Sequence, residues 1–138
     1  MCLFCQIASG KINSDKIYED DKNVAFLDIY PRAMGHSLVI PKKHYETFDA
    51  MTEEDAQSFI LAVHKVTKLV KEKLKASGFN VISNNGKVSG QEVMHVHFHI
   101  LPRFEEDKVA WRFPPVSQES KDSIANIHRT LVSSEKEE

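Results

Sequence analysis

Residues 93–101 read V-M-H-V-H-F-H-I-L, with histidine at positions 95, 97 and 99 and apolar residues between and after them. Side chains along an extended strand alternate between its two faces. This spacing therefore puts His95, His97 and His99 on one face, with neighbours about 6.5 Å apart along the backbone. Met94, Val96, Phe98 and Ile100 fall on the other. One face of the strand is core and the other is a line of imidazoles. An apolar strand face needs a second layer to cover it, and the rest of the chain is read from that need.

The cover is a helix over 52–76. Phe59, Ile60, Val63, Val66, Val70 and Leu74 recur at spacings of three and four and mark one apolar helix face. Thr52 is suited to the N-cap, the acidic Glu53, Glu54 and Asp55 to the first turn, and Gly78 to closing the end. Upstream, residues 16–20 and 23–29 flank a polar turn and predict a hairpin. Residues 36–41 predict a third strand that Pro41 ends, residues 79–84 a fourth, and the histidine row is the fifth. A short helix over 3–10 closes at Gly10. A weaker helical pattern of Ile124, Ile127, His128 and Leu131 predicts a helix over 119–132, and the charged tail 133–138 is expected to fray into solvent. Short connections suit antiparallel pairing, so the expectation is a single α+β domain. Its core spans about 1–110, with an extension over about 111–138.

Composition narrows the function. The chain has 138 residues, 28% of them charged, and a formal net charge of −2 with no Lys/Arg stripe, which argues against a nucleic-acid partner. No apolar run approaches the roughly 20 residues that cross a bilayer, and M-C-L-F-C-Q-I-A lacks the features of a secretory signal. These predict a cytoplasmic protein with reduced thiols. Its two cysteines, Cys2 and Cys5, are spaced C-x-x-C. That spacing suits a redox pair, half a zinc site, or two small apolar residues on a core edge. A redox motif belongs between a strand and a helix, and no strand precedes Cys2. A metal would need two more ligands from elsewhere in the chain.

Two chemistries fit the histidine row. Three neutral imidazoles can hold a catalytic zinc whose bound water attacks. Alternatively, one imidazole attacks phosphorus while its neighbours manage protons and charge. Imidazole suits that role because it is largely neutral at cell pH and keeps a lone pair. Its bond to phosphorus is labile, so one hard displacement becomes two easier ones. The preceding loop, N-N-G-K-V-S-G-Q at 84–91, supplies Gly86 and Gly90, which let backbone N–H groups face phosphate oxygens.

The pattern H-V-H-F-H-I-L resembles the signature of the histidine-triad (HIT) superfamily of nucleotide-binding proteins. The likeness extends over F-C-Q-I-A-S-G, Y-E-D-D-K-N-V-A-F-L-D-I, G-H-S-L-V-I-P-K-K-H, the 84–91 loop and L-P-R, from about Cys2 to Arg103. The resemblance implies the HIT-like fold, a five-stranded antiparallel sheet with one long and one or two short helices. It implies a nucleotidyl hydrolase or transferase acting at the α-phosphate of purine nucleoside phosphoramidates or adenylyl conjugates. Cleavage of dinucleoside polyphosphates is the close alternative. On this reading His97 is the nucleophile, His99 contacts the phosphate and helps the leaving group, and His36 orients His97 or its neighbours. Asp28 accepts hydrogen bonds from the ribose, while Phe4, Ile7, Phe26, Ile29 and Leu38 line the base pocket. Asn84, Gly90, Gln91 and Glu92 form the phosphate-side loop.

Many relatives carry Ser or Thr where this chain has Glu92. A carboxylate there is repelled by phosphate, so its side chain is expected to turn away or to accept a cationic leaving group. The resemblance to members with C-x-x-C, and to galactose-1-phosphate uridylyltransferases, implies a structural zinc on Cys2, Cys5, His44 and His95. No redox cofactor is implied, and no metal for the chemical step. It also implies a homodimer joined through the long helix and the fourth strand. Trp111 and the R-F-P-P that follows lie where a partner's tail reaches the nucleotide site. Arg103 is open to a phosphate or a surface salt bridge.

Overall fold

The computed structural model describes residues 2–134; the tail residues 135–138, expected to fray, lie outside them. Asp20 makes the first tight turn. Its carboxylate accepts hydrogen bonds from the backbone N–H groups of Lys22 and Asn23, each at 2.8 Å. This folds β1 (Lys16–Glu19) back onto β2 (Asn23–Leu27). The next strand, β3 (Ser37–Pro41), pairs along β2 and ends at Pro41 as expected. With β4 (Gly78–Ile82) and β5 (Phe98–Arg103) the sheet runs β1-β2-β3-β5-β4, every neighbouring pair antiparallel. The last strand in the chain, β5, thus inserts between β3 and β4, with His99 opposite Leu38 on one side and Ile82 on the other.

The histidine strand is shorter than its alternation predicts. Ladder pairing begins only at Phe98, so His95 and His97 precede it. There the backbone is held instead by a bond from the Val96 N–H to the Tyr45 carbonyl at 2.7 Å. The alternation of faces survives. Phe98 meets Phe59 of the long helix edge to face, with ring centroids 5.1 Å apart, while His95 and His97 meet Phe4 on the opposite side.

That helix, α2 (Glu53–Leu74), begins where the capping signal places it, with Thr52 Oγ1 accepting from the Asp55 N–H at 3.1 Å. Phe59, Val63, Val66 and Val70 pack on Ala25, Val39 and Ile100. Two residues assigned to the apolar stripe are not in the core: Ile60 is 43% and Leu74 46% exposed. Ile60 sits about 100° around the helix from Phe59, and Leu74 lies in the last turn. The end also differs from expectation. Lys75, at φ +57°, caps the helix in the left-handed region, while Gly78 already opens β4 opposite Arg103. Gly35 (φ +81°) is pressed against this helix end, where a Cβ would run into Leu74.

The opposite sheet face is covered by α1 (Leu3–Ala8), whose Phe4 and Ile7 pack on Val24, Phe26, Leu38 and Ile40. The helix predicted over 119–132 is two, α3 (Gln118–Asp122) and α4 (Ile124–Val132), broken at Ser123. Ile124, Ile127 and Leu131 of α4 are all exposed. Among the described residues, no helix is long and apolar enough to cross a membrane.

Candidate active site

A cleft of about 840 Å³ opens on the face that α1 partly covers. Its apolar floor is built by α1 and the strands. Phe4 and Ile7 come from the helix, Phe26 and Leu38 from β2 and β3, and the Phe4 and Phe26 rings meet edge to face at 5.7 Å. Asp28 and Ile29 lie just past the end of β2, where the Asp28 N–H still donates to the His36 carbonyl at 2.9 Å, and both line the cleft. Facing them are His97, His99 and His36, with Asn84, Gly90 and Glu92 of the loop.

Gln91 takes a different place from the one its position in the loop predicts. It is 5% exposed and does not line the cleft. Its side-chain carbonyl accepts from the Gly86 N–H at 2.7 Å, and its amide donates to the carbonyls of Glu46 and Val93 at 2.7 and 2.9 Å. The loop reverses through Gly90 at φ +103°, and the Gln91 side chain pairs the Gly86 N–H and the Val93 carbonyl within this segment and ties it to Glu46.

The imidazoles have their tautomers assigned by groups that only donate or only accept. The Arg32 N–H donates to His36 Nδ1 at 3.0 Å, so neutral His36 carries its proton on Nε2. That Nε2–H donates to His99 Nδ1 at 2.9 Å, which leaves His99 with a proton on Nε2. His97 donates from Nδ1 to the His95 carbonyl at 2.7 Å, so its Nε2 is a bare lone pair. His36 therefore positions His99 rather than His97. Asp28 completes the group: one carboxylate oxygen accepts from the Tyr30 N–H at 2.8 Å and the other lies 3.6 Å from His36 Nε2.

Burial keeps these rings neutral. It pushes the affinity of His36 for a proton down, against the opposing pull of Asp28. His97 is lowered by burial as well, although its bond to the His95 carbonyl, Asp28 and Glu92 work the other way. His99 is lowered furthest, to about 4, by burial and then by the neighbouring His97 and His36.

A second cluster lies beside the first. Cys2 caps α1 through its sulfur, which accepts from the Cys5 N–H at 3.1 Å, and this brings the two free thiols to 3.0 Å. His44 Nδ1 is 3.5 and 3.4 Å from the Cys2 and Cys5 sulfurs, and His95 Nδ1 is 3.3 and 3.5 Å away. His95 Nε2–H donates to the Pro41 carbonyl at 2.8 Å, so its Nδ1 lone pair faces the sulfurs. Zinc bound to sulfur at about 2.3 Å and nitrogen at about 2.0 Å would separate such ligand atoms by about 3.5 Å. The four residues fit that ion. Burial and the adjacent Cys2 sulfur push the Cys5 thiol up, so a cation is what would make a thiolate of Cys5.

Sequence reasoning missed several residues of the cleft. Leu3 lines it beside Phe4, as do Arg32 and Lys108; Trp111, expected near a partner's nucleotide site, lines this chain's own cleft. Only Leu3 carried a signal, since it precedes Phe4 on the same helix. The others depend on long-range geometry. Arg103 does not reach the cleft: its guanidinium grips the Asp107 carboxylate at 3.0 and 2.9 Å and donates to Asn80 and to the Val109 carbonyl. That clamp folds 104–109 back so that the chain's own Lys108 and Trp111 reach the cleft.

A strand of alternating histidines, a covering α1 and a cleft between them define the class, and a family model for the HIT domain matches residues 9–106. The chain belongs to the HIT family. It is 48% identical over 124 residues to an uncharacterised HIT-like protein of Methanocaldococcus jannaschii, covering 90% of this chain and 95% of that one. It is 40% identical over 121 residues to the adenosine 5'-monophosphoramidase of Schizosaccharomyces pombe, covering 86% and 88%. Among solved structures, a HIT family protein of Bacillus anthracis superposes with a TM-score of 0.85 at 37% identity, covering 94% of each chain.

Proposed function

We propose that this protein is a nucleotidyl hydrolase that cleaves purine nucleoside phosphoramidates, or similar adenylyl conjugates, through a nucleotide carried on His97. The observation that carries this reading is the bare Nε2 lone pair of His97, fixed by its Nδ1–H bond to the His95 carbonyl in a ring that lines the cleft. The yeast relative's activity supports the substrate class. The nucleoside lies over Phe4, Phe26 and Leu38, with its ribose at Asp28. His97 Nε2 attacks the α-phosphorus as the bond to the leaving amine breaks. The phosphate's negative charge raises the affinity of His99 for a proton, which it takes from solvent and delivers to the departing nitrogen. Neutral His99 then accepts a proton from the water that displaces His97 from phosphorus and returns it to solvent, so both rings regain their starting state.

The rival in which three histidines share one catalytic zinc lacks geometric support, because the free Nδ1 of His95 faces the cysteine sulfurs. A zinc on Cys2, Cys5, His44 and His95 would have four protein ligands and no open position, and would supply structure rather than chemistry. A homodimer through α2 and β4 is part of the same reading. It is supported by exposed Ile60 and Leu61 on the helix and by exposed Phe79 and Val81 on the edge strand.

The test is rapid quenching of the enzyme during turnover of adenosine 5'-phosphoramidate, followed by peptide mass spectrometry. A nucleotide mass on the peptide containing His97 is expected. His97→Ala should lose at least about a thousandfold in kcat while melting as the wild type does. Full turnover by that variant would sink the covalent mechanism.

A further inference from the structure

The register of the sheet orders the floor of the cleft. Phe26 lies opposite Leu38, Leu38 opposite His99, and His99 opposite Ile82, and all four line the cleft. Residues opposite each other in antiparallel strands share a face, and neighbouring strands lie about 4.8 Å apart. The row therefore runs from β2 across β3 and β5 to the edge strand β4. With the nucleoside over Phe26 and Leu38 and phosphorus at the histidines, the outgoing group lies beyond His99, over Ile82. Leu101, the next residue of β5 on that face, is opposite Asn80 and lines the cleft as well.

The segment after β5 is fastened at that end. The Arg103 guanidinium holds both oxygens of the Asp107 carboxylate, at 3.0 and 2.9 Å, and donates to Asn80 Oδ1 and to the Val109 carbonyl, each at 2.9 Å. The same carboxylate accepts from the N–H groups of Phe104 and Val109 at 2.8 and 3.2 Å. One guanidinium thus joins Val109 to β4, on the side of His99 away from Phe26. Glu106 takes up the left-handed region at φ +63° in this reversal, a strained position that the bonds around it hold. They leave Lys108, Val109, Ala110 and Trp111 lining the cleft, with Trp111 still 42% exposed.

Charge does not choose the occupant. The charged side chains that line the cleft are Asp28, Glu92, Arg32 and Lys108, two of each sign, so they give it no net charge. Lys108 and Glu92 are both exposed, where solvent and salt screen them. What the fastened segment adds is apolar surface.

We propose that the Arg103–Asp107 clamp builds the outgoing-group subsite. It holds Val109, Ala110 and Trp111 as an apolar wall facing Ile82 and Leu101, and so selects phosphoramidates whose departing amine carries a flat apolar body. The inference deepens the reading of His97 as the attacking group and rests on it. The bonds stay those of that reading: His97 Nε2 joins phosphorus, the amine nitrogen leaves it, and His99 protonates that nitrogen. Arg103 and Asp107 are positioning residues that act through the wall. A wall that grips the amine equally before and during its departure appears in KM rather than in kcat.

The test compares adenosine 5'-phosphoramidate, which releases ammonia, with its N-phenethyl derivative, which releases phenethylamine. The two share the adenosine, so a change that loosens the fold or the nucleoside site moves both and cancels in the ratio of their kcat/KM values. Asp107→Asn should lower the phenethyl-to-ammonia ratio about tenfold, through KM of the phenethyl substrate, as expected for one aromatic contact and its apolar area. Arg103→Lys keeps the charge but cannot make the same four bonds, and should lower the ratio too; where Asp107→Asn does not fold, it takes that variant's place. Trp111→Ala removes the wall and leaves the clamp whole, and should lower the ratio as far. Combined with Asp107→Asn it should add nothing, because both changes act on one contact. A ratio within about twofold of the wild type in the clamp and wall variants overturns the proposal, and so do losses that multiply in the double variant. If His97→Ala cleaves both amidates as the wild type does, the nucleophile assignment has failed. If that variant is dead and the ratio ignores Asp107 and Trp111, only the role of the clamp has failed.

Discussion

Holding His99 at about 4 has a consequence for stability. In the unfolded chain an ordinary histidine takes up its proton near pH 6.5. Between pH 6.5 and about 4 the unfolded state binds a proton that folded His99 refuses, so stability falls as the pH falls through this window. The slope from one such group is at most about 1.4 kcal/mol per pH unit, and above pH 6.5 the group contributes no pH dependence. His36 and His97 are shifted in the same direction. Urea unfolding from pH 7.5 to 4.5 should show this acid slope in the wild type and a shallower one in His99→Gln; equal slopes would remove the argument. At this scale much of the site was readable, since a two-residue period declares which imidazoles share a face. The bond from Arg32 that sets the chain of tautomers was not, because it is donated by backbone and leaves no trace in residue type.

At the scale of elements, α1 is the piece whose stability is most open to test. It is six residues long, too short to persist without packing. Phe4 and Ile7 hold one side of it, and the cysteines hold its start against His44 and His95. If zinc occupies that cluster, purified protein should contain one ion per chain. Cys5→Ala should lose the ion and melt about 4 °C lower or more, the shift that about 1 kcal/mol produces in a domain of this size. Retained zinc, or metal-free protein with an unchanged Tm, would argue against it. The elements show where local signals suffice. Thr52 starts α2 because capping is a contact within one turn. The other end was misread, since Lys75 adopts the left-handed conformation that Gly78 was expected to supply. There, the pairing of Gly78 with Arg103 outweighs the local preference.

For the whole molecule, Ile60, Leu61, Phe79 and Val81 leave one layer of the fold incompletely covered. Sedimentation at micromolar concentration should give twice the mass of the chain, and a double change of Ile60→Asp and Leu61→Asp should return it to one. A monomeric wild type would refute that assembly. The sequence by itself determined the sheet, its covering helix and the imidazole-bearing face, because hydrophobic period and turn chemistry are local properties of the chain. It also held the resemblance that brought Asp28, His36 and the loop residues into one site. Only the tertiary structure decided that β5 pairs from Phe98 onward, that Gln91 braces the loop instead of lining the cleft, and that Arg103 clamps Asp107. It alone bent the chain's own Lys108 and Trp111 over the cleft and left Glu92 unpaired at its lip. These depend on which distant groups compete for the same hydrogen bonds and the same space, and no residue's own preferences record that competition.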